Sequence, residues 1–426
     1  MKIKIHHIQI AGIIAVICCL QIHATAQDNY FKIAGQYRVR PEFRKGYKTL
    51  STDTLKAAFF IAQRARLIFE YKKNNITAYT SIQDIRTWGD EEPSKDIAGL
   101  SVNELWMELA FKKGFSLKIG RQELVYDDQR LLGNADWNNA TRSHDALLLK
   151  YANKEKKLYW HTGGGFNQSG EPLFGTAYNL KNYKYLGFAW LKKEFSYAGT
   201  YISAIAIVNG LNSTVTSSPK SKASLTVGPL LNFQKNIFKG VAGAYYQTGK
   251  TENNLQLNAF MVNLYAGINK KLIAGAGVDY LSGNSNNTAS TKSHSFSTLY
   301  ATNHKFYGYM DYFLNIPADT KQHGLVDYYL RAGVQNKKVT YTLDAHRFAL
   351  AHQYTHTYQT AALGTEVDLL TEYKLSPVIN LQAGYSMIFA TKNMKILKGG
   401  NKNNYQGWAF IMLKISPAFF IHEIKN

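Results

Sequence analysis

"LKIGRQELVYDDQRLLGNADWNNATRSHDALLLKY", residues 117–151, is the stretch on which the fold turns. Both ends alternate apolar and polar side chains with a period of two, the pattern of a β-strand whose two faces meet different surroundings. The middle gathers Asp127, Asp128, Arg130, Asp136, Trp137, Asn138 and Arg142 into a connection far longer than a hairpin turn needs. The first of these strands is entered through the short turn Lys112-Lys113-Gly114. It therefore has one tight end and one long end.

The same rhythm runs the length of the chain. Period-2 segments predict strands near 30–40, 57–71, 76–86, 101–111, 115–126, 143–151, 157–166, 183–195 and 199–208. They continue near 222–234, 237–248, 256–268, 272–282, 325–335, 339–349, 361–373, 378–390 and 405–416, with no helical stretch of note. Every second connection is short and polar, as at Lys72-Lys73-Asn74-Asn75, Lys235-Asn236, Asn269-Lys270-Lys271 and Asn336-Lys337-Lys338. Those between are mostly long: 41–56, 87–100, 127–142, 167–182, 209–221, 283–324 and 391–404. Short turns on one rim and long loops on the other are how transmembrane barrels are built. The expected fold is all-β: an antiparallel up-and-down barrel of about 18 strands, with short periplasmic turns and long extracellular loops.

One face of each strand suits lipid. Leu105, Met107, Leu109 and Phe111 alternate with Glu104, Trp106 and Glu108; Leu381, Tyr385, Met387 and Phe389 alternate with Gln382 and Ser386. Ala65, Leu67 and Phe69 alternate with Arg64 and Arg66, and a lipid-facing arginine near the midplane costs about 2–4 kcal/mol. Arg64 and Arg66 are thus expected in the lumen.

The first residues read as an export signal. Lys2 and Lys4 precede an apolar run from Ile8 to Leu20, and Ala24-Thr25-Ala26 offers a cleavage site. Residues 1–26 are expected to be removed, leaving 27–426 as one barrel domain in the outer membrane of a Gram-negative bacterium. The first strand then starts too early to leave room for a plug domain. Both cysteines, Cys18 and Cys19, fall in the removed segment, and Ile17 argues against a lipid anchor there. Of 50 Lys and Arg, 48 remain against 29 Asp and Glu, a formal charge of +19. So large a charge implies anionic partners. Export makes nucleic acid a poor candidate, and acidic saccharides, small anions or lipopolysaccharide better ones.

The positive residues expected to line the lumen are Arg38, Arg40, Arg64, Arg66, Arg86, Arg121, Arg130, Arg142 and Arg331. A guanidinium stays charged and meets carboxylates through a planar fork. Asp84, Glu123 and Asp327 stand where they could pair with Arg86, Arg121 and Arg331. A loop so rich in charge and amides works best folded inward, so Asp127, Asp136, Trp137 and Asn138 are expected to narrow the pore, Trp137 and Asn138 meeting a sugar. His346, His352 and His356 carry no metal spacing in strands and rim loops, no G-x-S-x-G or HExxH motif occurs, and no cofactor is expected.

"GRQELVYDDQRLLGNADWNNATRSHDAL", "SIQDIRTWGD", "LYATNHKFYGYMDYFL" and "LGTEVDLLTEYKLSP" together resemble the alginate-export family of outer-membrane barrels. The resemblance implies an eighteen-stranded barrel and a conduit for an acidic polysaccharide through a lumen rich in arginine. The chain departs from that pattern at Leu148, where a basic lumen residue is expected. It also departs in its candidate lumen acids Asp84, Glu104, Glu108, Glu123, Glu366 and Asp368. The expected function is a monomeric channel passing anionic solutes, acidic saccharides foremost, in contact with membrane lipid and lipopolysaccharide. A general or small-anion porin is the alternative, ahead of an outer-membrane enzyme or a surface adhesin.

Overall fold

The computed structural model describes residues 29–94, 97–175, 182–197, 199–212, 221–285, 291–353 and 360–424. The expected signal segment and His356 lie outside the described residues. The first nine strands are β1 (Tyr30–Lys45), β2 (Ala58–Lys73), β3 (Ile76–Thr87), β4 (Leu100–Ala110), β5 (Phe115–Gln122), β6 (His144–Asn153), β7 (Leu158–Phe166), β8 (Tyr185–Glu194) and β9 (Tyr201–Leu211). Next come β10 (Lys222–Lys235), β11 (Phe238–Lys250), β12 (Gln256–Asn269), β13 (Leu272–Leu281), β14 (Leu325–Gln335), β15 (Val339–Ala349), β16 (Ala362–Ser376) and β17 (Ile379–Ala390). The last strand, β18, runs over Gly407–Ile415 and resumes over Ala418–Glu423. Its break holds Pro417, which has no N–H to give a neighbouring strand. The proline carbonyl instead accepts from Gly35 N at 3.0 Å.

Each strand pairs antiparallel with its sequence neighbours, and β1 pairs with β18, bringing Arg38 opposite Lys414 and Tyr30 opposite Glu423. The sheet is thereby closed into eighteen strands with no free edge. Every predicted segment coincides with one strand. One prediction is corrected: the loop before β18 holds a short helix, α1 (Lys392–Lys398), whose first turn is capped by Thr391.

The wall is inverted relative to a water-soluble protein. Apolar side chains face outward, with Leu105 54% exposed, Leu330 63% and Phe389 61%. Polar ones face inward and are buried, among them Arg64, Gln247, Asn263, Asp279, Asp327 and Glu366. Only a hydrocarbon surrounding makes that arrangement favourable. No helix among the described residues is long and apolar enough to cross a membrane. The strands do the crossing.

The apolar core sits inside the barrel. Two long loops supply much of it: residues 123–143 between β5 and β6, and residues 282–324 between β13 and β14. Leu124, Leu131, Leu132, Phe296, Tyr307, Met310, Phe313 and Ile316 from these loops are buried together with Trp408 and Phe348 of the wall. The loops are bonded to each other. Gly133 N donates to Tyr300 O at 2.9 Å, Tyr300 N to Leu131 O at 3.0 Å, and Thr302 N to Gln129 O at 3.0 Å.

Candidate functional site

The site is the lumen where these two loops meet the wall. The segment Asp136-Trp137-Asn138-Asn139 has no strand partner, so its carbonyls need donors once they are buried. Arginines of β1 and β2 supply them. Arg38 donates to Asp136 O at 2.5 Å, Asn138 O at 2.7 Å and the Asn139 side chain at 3.0 Å. Arg40 donates to Trp137 O at 2.7 Å and to Glu42 at 2.8 Å. Arg64 donates to the Asp136 carboxylate at 2.8 Å and to Asn139 O at 3.2 Å. Arg66 donates to Thr141 Oγ1 at 2.9 Å and to Gln83 at 2.8 Å. The predicted inward loop is therefore held by four of the predicted arginines. Trp137 completes the seam: Arg40 lies 3.9 Å from its ring centroid, His304 stacks on it at 4.3 Å, and Phe410 meets it edge-on at 4.8 Å.

The remaining arginines divide. Arg130 is buried among Asp128 at 2.9 Å, Asp279 and the ring of Phe306 at 4.0 Å. Arg142 donates to the carbonyls of Gly133, Tyr300 and Ala301, tying the two loops together. Arg331 forms a two-pronged pair with Asp344, both bonds 2.7 Å.

Two of the predicted lumen arginines face outward. Arg121 is paired across the sheet with Leu105 and with Asp145, its ion partner at 3.6 Å. Its strand neighbour Ile119 is exposed on the same outer face. Arg86 lies opposite Gln63, on the face opposite to Arg64 and Arg66. Its predicted pairing with Asp84 forms, at 2.8 Å, but outside the barrel at the long-loop rim. Directly paired residues share a face, which settles both corrections.

Two further expected pairs are replaced. Glu123 accepts from Asn134 at 2.7 Å instead of meeting Arg121. Asp327 meets His346 at 2.8 Å instead of Arg331. Asp127 accepts from the Trp190 indole at 2.9 Å, which holds the start of the loop to β8.

Sequence reasoning missed what loop 282–324 contributes. His304 lies 2.7 Å from Asp311, which also accepts from Tyr47. Met310 N donates to Glu366 at 2.8 Å, giving that buried wall acid a loop partner. The dense aromatic run "LYATNHKFYGYMDYFL" was the available signal, since a solvated loop has no use for so many rings.

Cavities lie between these loops and the wall. One, of about 510 Å³, is lined by Arg38, Asp136, Trp137, His304, Tyr309 and Lys414, among others. The second, of about 440 Å³, is lined by Asp128, Arg130, Lys239, Tyr265, Tyr329 and Arg331, among others. Lys305 and Tyr309 line both. Burial opposes the charge of Asp136, but Arg64, Arg38 and Lys414 outweigh it and hold that carboxyl below its ordinary range. Lys305 is held below the ordinary lysine range by burial. Asp128 resists that shift, and the like charges of Arg130, Lys239 and Arg331 add to it.

Residues 29–162 match the alginate export family. No curated protein matches the chain in sequence. Solved structures with the same fold include Acinetobacter baumannii OccAB4, with TM-score 0.58 and 13% identity over 91% of this chain and 98% of that one. Pseudomonas aeruginosa OccK2 (OpdF), in complex with glucuronate, gives TM-score 0.61 and 11% identity over 93% and 100% of the two chains. Pseudomonas aeruginosa OpdK, with vanillate, gives TM-score 0.57 and 10% identity over 91% and 99%. The chain folds as a closed eighteen-stranded β-barrel like those of outer-membrane porins, and its residues 29–162 match the alginate export family.

Proposed function

We propose that the protein is an outer-membrane channel passing anionic solutes, acidic saccharides foremost, by passive diffusion through the narrowed lumen. One observation carries this reading: the inward loop leaves cavities bordered by both cations and aromatic rings, with Arg38, Lys305 and Lys414 beside Trp137 and Tyr309. Rings stack on sugar faces, and fixed cations favour carboxylates. A bare barrel of this width would hold its wall charges beyond a Debye length of about 8–10 Å from a solute on its axis. The loop brings them within reach. Two neighbours of the same fold were solved with glucuronate and vanillate, both carboxylates, which supports the same class here. Within this reading the chain acts as a monomer, residues 1–26 are the cleaved signal, and no reaction is catalysed.

The alternative, a small-anion porin, draws on the cavity sizes. Volumes of about 510 and 440 Å³ are the size of small-ligand sites. Planar-bilayer recording separates the two. A polyuronate conduit shows anion preference and is blocked more by an acidic oligosaccharide than by a neutral one of equal length. A small-anion porin shows the preference without the length-dependent block. Cation preference would overturn both.

A further inference from the structure

Most lumen arginines have their donors committed. Arg38, Arg40, Arg64 and Arg66 are bonded to the loop and its surroundings, and Arg130 and Arg331 are bonded to carboxylates. A cation already satisfied by a fixed acid has little left for a passing solute. Three lysines differ. Lys414 and Lys239 line the cavities, and neither forms a side-chain hydrogen bond or ion pair with a described residue. Lys305 donates at 3.2 Å to a backbone carbonyl, that of Asp128, and has no carboxylate within ion-pair distance among the described residues.

The strand register sets Lys414 beside two further cations. Arg64, Arg38 and Lys414 lie directly opposite one another on β2, β1 and β18. Like charges in direct cross-strand register repel. Two acids line the cavity beside this row: Asp136, bonded to Arg64 with its side chain half exposed, and Glu372, which accepts from Asn380. Two carboxylates, each already bonded elsewhere, against three cations leave Lys414 without an ion pair among the described residues. A solute carboxylate is chemically the same group as Asp136.

We infer that Lys414, Lys305 and Lys239 are the groups that take the carboxylates of a passing uronate-like solute in succession, Lys305 handing it from one cavity to the other. This rests on the anion-channel reading above. The rings beside each lysine fit the sugar: Tyr309 on the Lys414 side, and Tyr265 and Tyr329, 6.1 Å apart and parallel, on the Lys239 side. The arginines then hold the loop and shape the path.

The test is block of single-channel current by glucuronate and by a short oligouronate. It compares the parent, Lys414→Gln, Lys305→Gln, Lys239→Gln, the triple variant and Lys305→Arg. Each glutamine is expected to weaken block about fivefold, the factor of one unit charge at about 4 Å in water. Lys305→Arg is expected to restore it. Folding is checked by heat-modifiable migration on gels. If the parent prefers anions and the triple variant is blocked as strongly as the parent, this assignment is wrong while the channel reading stands. If the parent shows no anion preference, both fall.

Discussion

Arg64 of β2 holds Asp136 of the inward loop at 2.8 Å, with the arginine side chain wholly buried and the carboxylate half exposed. The pair joins barrel wall to loop. Arg64→Ala strips donors from Asp136 and from the carbonyls of Asn138 and Asn139. The cost is about 2 kcal/mol, below the ~3–5 kcal/mol of a fully buried broken pair because Asp136 still meets solvent. The expected outcome is a lower unfolding temperature by gel-shift assay and a larger, noisier conductance. Unchanged conductance with lowered stability would show that the loop stays in place without Arg64.

Trp137→Ala removes the contact with Arg40 at 3.9 Å and the stack on His304 at 4.3 Å. A cation over a ring contributes about 0.5–2 kcal/mol. Conductance is expected to rise and saccharide block to weaken, with Trp137→Phe falling between. Equal block in all three channels would remove Trp137 from the solute path.

The outward arginines supply the reverse test. Arg121 and Arg86 pair with Asp145 and Asp84 on the outer face near the long-loop rim. Exposed pairs contribute about 0–1 kcal/mol. Arg121→Ala and Arg86→Ala are expected to leave reversal potential and conductance unchanged. A shift toward cations in either would place that arginine in the lumen.

Acid should loosen the loop only in a low window. The Asp136 carboxyl is held below its ordinary range by Arg64, Arg38 and Lys414, against the opposing effect of burial. A depressed native value means the stabilisation is fully present above the unfolded value, about 4. It is lost as pH falls through the native value. Conductance is expected to be flat from pH 7 to about 4 where this pair governs it, and to rise below. Asp136→Asn is expected to abolish that rise. An Asp136-dependent transition between pH 5 and 7 would contradict the pairing.

The strands were legible because a wall between lipid and lumen forces strict alternation, as in Leu105, Met107 and Leu109, and because each short turn carries its own polar cluster. Alternation fails as a guide near the long-loop rim. There the outer face has left the hydrocarbon, so Arg86 and Arg121 can sit outside at little cost, and charge no longer reports the face. The inward course of residues 127–142 was readable from composition. That of residues 282–324 was signalled only by its density of rings, because its partners, such as Glu366 for Met310 N, lie far away in sequence. Arg38, Arg40, Arg64 and Arg66 stood out in the sequence as inward-facing positions of β1 and β2. Their bonding to loop carbonyls depends on a tertiary contact that no spacing reveals.

The central claim is that the loop between β5 and β6 narrows a lumen that prefers anions. Single-channel recording in a salt gradient tests it most directly, comparing the parent with a chain lacking residues 128–141. The parent is expected to show a reversal potential on the anion side. The shortened chain is expected to show higher conductance and a weaker preference. Cation preference in the parent, or identical conductance and preference in the two channels, would contradict the claim.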